Sequence, residues 1–344
     1  MKIVYHPYGS GDNMYTNIIL KGLRKRKFEI IPLSTFFSNY RDVKIIHLNW
    51  YENIASTLNF LNKTSKLIVF KILGKKIVWT MHNKEPHENR KPSLQKAFRN
   101  LLIFFSDAII IHSLDSKKEL SKKGKKTIDK TFYLPHPDYI DVYGQINEIP
   151  SVVSNKTNLN LVFVGLVRPY KNLELLIDCV NIFGDKVKLV IAGKPKDDAY
   201  ANSIREKAES NANITLDLKF IEDKILIKYI QDADLVILPY KINSVLNSGT
   251  VILSFSYGRS VICPNIGTIN DIDDKSAILN YSYSRESHHE KKLIDVIDSA
   301  VRLKGHSPEV FKTWGLQMKD YIIKYHDSDT VIDELAKLYH RIAK

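Results

Sequence analysis

Along the chain, short apolar runs rich in β-branched residues alternate with longer stretches whose apolar positions recur every three or four residues. The first kind reads as buried strands and the second as amphipathic helices, so the alternation predicts βα units around parallel sheets. In the first half, strands are expected at 2–8, 28–33, 44–50, 75–81, 107–113 and 131–135, with helices at about 12–26, 53–73, 92–105 and 114–123. A polar passage without a period, 138–158, reads as a linker. The pattern then restarts, with strands at 159–165, 187–193, 214–220, 233–240, 259–264 and 276–281. Helices are expected there at 171–183, 198–211, 222–231, 248–257 and 287–303, and two more in the tail, roughly 308–342. The chain is therefore expected to be an α/β protein with Rossmann-like domains over 1–155 and 156–307, followed by C-terminal helices over 308–344.

A length of 344 residues suits two domains, and 44% hydrophobic with 26% charged residues excludes a disordered chain. The two cysteines, Cys179 and Cys263, form no CxxC or zinc spacing, which argues against a disulfide scaffold and fits a reducing compartment. The first residues lack the apolar run of a signal peptide, and no window reaches the ~18 apolar residues of a membrane span. A cytoplasmic location is the expectation.

The net charge of +13 changes the picture because it is uneven. Residues 1–155 hold 25 Lys/Arg against 13 Asp/Glu, a net +12, whereas 156–344 hold 26 against 25. Such a basic half is a solvated surface, a nucleic-acid site or a face for an anionic membrane. With no RNP-like aromatic motif, zinc finger or recognition helix, nucleic acid is not expected. The inner face of the cell membrane is the expected partner surface.

Two segments of the second half point to an anion. In "LVFVGLVRPYKNLELLI" (161–177) an apolar run stops at Gly165, and Arg168, Pro169 and Lys171 precede a helical pattern. Proline suits a first helical turn, and cations three apart reach the same side of it. A helix start already favours negative charge, so two cations there imply an anion that they share. In "YKINSVLNSGTVILSFSYG" (240–258) a polar loop with Asn247, Ser248 and Gly249 runs into an apolar helix. Ser248 can cap it, leaving N–H groups for an anion. Solvated cations and a plain N-cap are the ordinary alternatives. What joins the two segments is their position after the first and fourth strands of one unit, at the edge where open α/β sheets hold ligands.

The ordered set of segments resembles the nucleotide-sugar-binding domain of GT-B glycosyltransferases, close to the family 4 type. It comprises "LVFVGLVRPYKNLELLIDCV", "KLVIAGKP", "FIEDKILIKYIQDADLVILPY" and "SGTVILSFSYGRSVICPNIG", covering most of 159–270. The resemblance implies two Rossmann-like domains facing across a cleft, with the C-terminal helices returning to the first. It implies that Arg168 and Lys171 bind the donor diphosphate, together with backbone groups at Ser248, Gly249 and Thr250. Gly165 and Tyr240 would line the same pocket. One departure stands out: family 4 enzymes usually carry two glutamates eight apart around this helix, where this chain has Val245 and Leu253. Base, ribose and donor-sugar recognition therefore do not carry over, nor does a retaining outcome.

The first half offers loops after strands. "HPYGSGDNMYTN" holds Gly9 and Gly11, which permit close backbone approach, then Asp12 and Asn13, which either bind a sugar hydroxyl or start the helix. "IIHLNWYEN" ends on Trp50, Tyr51 and Glu52, either a platform for a sugar ring or a packing cluster. "VWTMHNKEPHE" (78–88) places His82, Asn83, His87 and Glu88 directly after a strand; two histidines five apart match no standard zinc spacing. The "HN…PHE" form with "HLNW" resembles bacterial exopolysaccharide glycosyltransferases, some of which use GDP-mannose. That resemblance implies His82 beside the reacting sugar. His87 or Glu88 would orient the acceptor or act as base, with Asp12 and Glu52 as further candidate bases. Gly11, Asn13, Glu52, Asn83 and His87 would belong to the donor or acceptor pocket.

No DxD-like motif ends a strand, and "DIDD" (271–274) reads as a turn, so neither a metal nor a cofactor is expected. The expected activity is hexosyl transfer from a GDP- or UDP-sugar to a glycan or lipid-diphosphate-linked acceptor in bacterial surface polysaccharide synthesis. A non-catalytic GT-B subunit, favoured by the missing glutamates, and a sugar-nucleotide epimerase are the alternatives.

Overall fold

The computed structural model describes residues 1–9, 13–84, 91–145, 158–242 and 244–344. The chain divides into two compact units, Met1–Pro137 with His326–Lys344, and Asp138–Tyr325.

The first unit opens with β1 (Lys2–His6), α1 (Met14–Lys25), β2 (Glu29–Pro32), α2 (Phe36–Asn39) and β3 (Val43–Asn49). It continues through α3 (Thr57–Ile72), β4 (Lys76–Met81), α4 (Pro92–Phe105) and β5 (Ala108–Ile111). Two short helices, α5 (Leu114–Ser121) and α6 (Lys125–Ile128), lead to β6 (Thr131–Tyr133). All strands pair in parallel, in the order β2-β1-β3-β4-β5-β6. Central β3 is buried at six of its seven positions, Lys44 being the exposed one, which is why its sequence shows no strict alternation. Asn13 caps α1, its Oδ1 accepting from Thr16 N at 3.2 Å, and Arg24 and Lys25 occupy the last turn, where the dipole favours cations.

The second unit repeats the plan. It runs β7 (Leu159–Val164), α7 (Leu173–Asn181), β8 (Val187–Ala192), α8 (Asp198–Ala208), β9 (Ile214–Asp217) and α9 (Asp223–Asp232). Then come β10 (Leu235–Ile237), α10 (Gly249–Ser256), β11 (Val261–Pro264), α11 (Gly267–Asn270) and β12 (Leu279–Tyr281). Its strands are also parallel, in the order β12-β11-β10-β7-β8-β9. β10 is shorter than its apolar run because Pro239 has no N–H to give the ladder. A buried ion pair ties the end of α12 (His289–His306) to the sheet: Lys304 Nζ lies 2.7 Å from Asp234 Oδ1, while Asp234 Oδ2 accepts from Asn160 N at 2.8 Å.

The two C-terminal helices part company. α13 (Val310–Tyr325) packs on α10 within the second unit. α14 (Ser328–Ile342) belongs to the first, where Val331, Ile332, Leu335, Leu338 and Tyr339 join the core beside Ile19, Leu23 and Ile45. Gly22 makes that approach possible, since a Cβ there would sit 2.0 Å from Ile332 Cδ1. The amphipathic period of α14 marked it as a helix but carried no label for the sheet it covers.

Candidate active site

Both sheets change strand direction of travel beside their first strand. In the first sheet the order turns between β1 and β3, and in the second between β7 and β10. Loops leaving the carboxyl ends at such a point diverge and open a crevice for ligand. The sequence-nominated residues of the second unit follow β7 and β10, and most of those of the first unit follow β1, β3 and β4.

In the second unit, β7 ends at Gly165 (φ 123°), and β8 ends at Gly193 (φ 154°). A Cβ on Gly193 would fall 1.7 Å from the Gly165 carbonyl oxygen, so only glycine lets the two strand ends lie this close. A Cβ on Gly165 would meet Thr250 Oγ1 at 3.7 Å, which puts the glycine against the first turn of α10.

Arg168 and Lys171 are not on an α-helix start. Pro169–Lys171 is a single 3₁₀ turn, and Asn172 (φ 60°) takes the left-handed conformation before α7 begins at Leu173. Asparagine tolerates that conformation, and the kink separates the cations from the helix that the spacing predicts. They therefore meet different partners. The half-buried Arg168 donates from Nη1 to Val167 O (3.2 Å) and Lys194 O (3.4 Å). Lys171 turns inward and is only 9% exposed. Its ammonium donates to Tyr240 Oη at 3.1 Å and lies 4.2 Å from the Tyr240 ring centroid. Among the described residues no carboxylate stands within ion-pair distance of it.

A relay of hydrogen bonds leads from this cation to a helix tip. Tyr240 Oη and Ser248 Oγ are 2.9 Å apart, and Ser248 Oγ accepts from Val251 N at 3.2 Å, capping α10. Ser248 N donates to Thr268 Oγ1 at 2.9 Å. Burial pushes the Tyr240 phenol well above its ordinary range, so it stays neutral. Gly249 and Thr250 form the first turn of α10, where helical N–H groups lack intrahelical acceptors. A buried ammonium without a counter-ion beside such a tip costs free energy unless an anion or water compensates it. Tyr283 braces the tyrosine, donating to Tyr240 O at 2.9 Å and accepting from Ile242 N at 3.0 Å. Val245 and Leu253 are buried, apolar and unable to hold a hydroxyl.

In the first unit His82 follows β4, buried, with its ring stacked on Trp50 (centroids 4.0 Å apart, planes at 12°). Asn49 Nδ2 donates to His6 O at 3.1 Å, which turns Asn49 Oδ1 toward His82 Nε2, 3.1 Å away. Nε2 must then carry the proton, leaving the basic lone pair on Nδ1. Around it gather residues the sequence did not single out. Tyr15 is edge-on to His82 at 5.0 Å, and His112 and His136 pack on Tyr15. His112 Nδ1 bonds Leu134 O at 2.7 Å and Nε2 pairs with Tyr15 Oη at 3.1 Å. Beneath them His47 bonds Thr80 Oγ1 at 2.7 Å and the Tyr339 hydroxyl. Desolvation holds all four rings neutral: His47 and His136 are lowered to about 3, His112 to about 4, and His82 well below the usual imidazole range. A signal existed, since His112 and His136 directly follow apolar runs, but a lone histidine after a run is uninformative until the sheet brings the runs together.

The other nominated residues are placed as follows. Asn13 is the cap of α1, and Asn83 is half-buried. Glu52 is 3% exposed and accepts from Trp79 Nε1 at 3.2 Å, with burial raising its carboxyl above the ordinary range. Gly11, Asp12, His87 and Glu88 lie outside the described residues. Among the described residues no helix is long and apolar enough to cross a membrane.

Comparison with known proteins bears on the same segments. Residues 145–272 match the family model described as Glycosyl transferases group 1. A GDP-mannose:glycolipid 4-beta-D-mannosyltransferase of Xanthomonas campestris pv. campestris is 25% identical over 230 residues, 64% of this chain and 61% of the relative. The match thus spans less than two thirds of that protein's length. Among solved structures, Anabaena Alr3699/HepE in complex with UDP aligns with a TM-score of 0.73 at 13% identity, covering 99% of this chain and 100% of that one. Sucrose-phosphate synthase of Thermosynechococcus elongatus aligns at 0.75 and 11% identity, covering 99% and 98%. The fold read from the sequence is thereby found: two six-stranded parallel sheets of the GT-B kind. The match to the group 1 glycosyltransferase model takes in β7 to α10.

Proposed function

From a chain with the GT-B fold and a group 1 glycosyltransferase segment, we infer that it transfers a hexosyl group from a nucleoside-diphosphate sugar to a hydroxyl of a glycan or lipid-linked glycan. The observation that carries the reading is Lys171, a buried cation with no carboxylate in range among the described residues, linked through Tyr240 to the Ser248 cap of α10. A diphosphate supplies the missing negative charge, and the first-turn N–H groups of α10 supply donors. Arg168 stands at the mouth, and its guanidinium can leave two backbone carbonyls for a phosphate oxygen.

As the bond to the anomeric carbon breaks, charge grows on the leaving diphosphate. Cations already in place stabilise that charge more than they stabilise the intact donor. In this proposal Arg168 and Lys171 perform the neutralisation that other transferases assign to a metal. His82, neutral and fixed in one tautomer, is proposed as the histidine beside the reacting sugar. The Xanthomonas relative acts with GDP-mannose on a glycolipid, and the Anabaena protein was solved with UDP and with UDP-glucose. These names support a GDP- or UDP-sugar donor and a lipid-linked acceptor here. A role in bacterial surface polysaccharide synthesis at the cytoplasmic membrane face belongs to the same proposal and is supported by the basic first half.

The test is a transfer assay with radiolabelled GDP- and UDP-hexoses, a lipid-linked acceptor and EDTA. Transfer in EDTA that depends on Lys171 is expected; strict metal dependence would remove the cationic mechanism. The apolar Val245 and Leu253 favour one second reading, a non-catalytic subunit. That subunit would bind the nucleotide and release no product under any donor.

A further inference from the structure

The first unit contains a cavity of about 480 Å³ between Lys84 after β4, one side of α4 and the end of α5. Cations dominate its wall: Lys84 after β4, Lys96 and Arg99 from α4, and Lys122 and Lys123 beyond α5. Lys96 and Arg99 are three apart and so share one side of α4. Two carboxylates also line it. Glu119 is already engaged, 2.8 Å from Lys122 and 3.3 Å from Lys84. Glu52 lies buried under Trp79. Among the described residues neither Lys96 nor Lys123 has a carboxylate within ion-pair distance. Among the described residues the cavity's wall therefore keeps an excess of positive charge, where several cations can face one bound group.

We propose that this cavity binds a phosphate or diphosphate group, the anionic end of the acceptor. The assignment to the acceptor rests on the transferase reading; the anion site itself does not. The volume lies within the ~300–1,000 Å³ of small-molecule pockets and accommodates a diphosphate with an attached sugar. Position gives the group its role. Lys84 is two residues beyond His82, and two residues span at most ~7 Å. An anion held at Lys84 thus binds two residues along the chain from the histidine that follows β4.

The test measures binding of inorganic pyrophosphate by calorimetry in an Arg168→Ala/Lys171→Ala background, which removes the donor-side cations. Adding Lys96→Glu/Lys123→Glu should weaken that binding at least ~10-fold, whereas Lys21→Glu/Lys25→Glu, at exposed positions of α1, should leave it unchanged. Equal loss in both pairs, or no loss in the first, overturns the proposal. Displacement of pyrophosphate by vesicles carrying a polyprenyl diphosphate, and not by neutral vesicles, assigns the group to a lipid headgroup. Displacement by a soluble sugar phosphate alone assigns it to a soluble acceptor; both support the site. Absence of GDP and UDP binding by the wild type would sink the transferase reading while leaving the anion site standing.

Discussion

Mild acid should selectively loosen the first unit. His47, His112 and His136 are fully enclosed and held neutral in the fold, at about 3, 4 and 3, against 6.5 for a free imidazole. Below pH 6.5 the unfolded chain takes up these protons and the folded chain does not, so the unfolded state gains. The stability present above pH 6.5 is therefore lost as the pH falls toward the folded values. The slope per ring grows from near zero above the free value toward ~1.4 kcal/mol per pH unit below it, so each ring removes ~1.4 kcal/mol in total between pH 7.5 and 5.5, and three remove about 4 kcal/mol. His82, lowered in the same direction, adds to the loss. The assay is urea unfolding of a Trp314→Phe variant, whose remaining tryptophans, Trp50 and Trp79, both lie in the first unit. The midpoint should drop steeply over that pH interval. Replacing His112 by glutamine should flatten the slope by about a quarter, whatever it does to the midpoint itself. A midpoint constant from pH 7.5 to 5.5 would refute the enclosure of these rings as neutral groups.

Three further outcomes follow from the same packing. Lys171→Met should lower hexosyl transfer at least ~10-fold, the equivalent of ~1.4 kcal/mol of transition-state charge stabilisation, and a wild-type rate would remove Lys171 from the site. Ile332→Ala should destabilise the first unit by ~2–5 kcal/mol, since it empties the contact between α14 and Gly22; denaturant unfolding followed by Trp50 and Trp79 reads it. Lys304→Met should cost the second unit ~3–5 kcal/mol because it strands buried Asp234, and Lys304→Met with Asp234→Asn should recover part of that, as read from Trp314 fluorescence in a variant lacking the other two tryptophans.

What could be read from the sequence was what local pattern determines. Among the described residues the strands and the longer helices between them follow from apolar runs, the four-residue helices α2, α6 and α11 being too short for a period, and the restart after residue 158 announces a second sheet. Pattern also marks the ends of β7 and β10, so the two candidate anion-binding segments are legible without knowing that their strands are neighbours. What pattern does not hold is tertiary direction. Nothing in "RPYKN" states that Asn172 is left-handed, or that Lys171 turns inward under Tyr240 while Arg168 turns to carbonyls. Glu52 read as a strand-end carboxylate, yet Trp79, twenty-seven residues on, buries it. The histidine cluster escaped because its members come from separate strands and meet only when the parallel order is formed.

The central claim is that the second unit grips a nucleoside diphosphate between Lys171 and the tip of α10. Thermal unfolding of the wild type and of Lys171→Met with GDP and with UDP tests it most directly. The account predicts that one nucleotide, at 100 times its Kd, stabilises the wild type by ~2.7 kcal/mol and Lys171→Met by no more than ~1.4 kcal/mol at the same concentration. No shift with either nucleotide, or an equal shift in the variant, would contradict it.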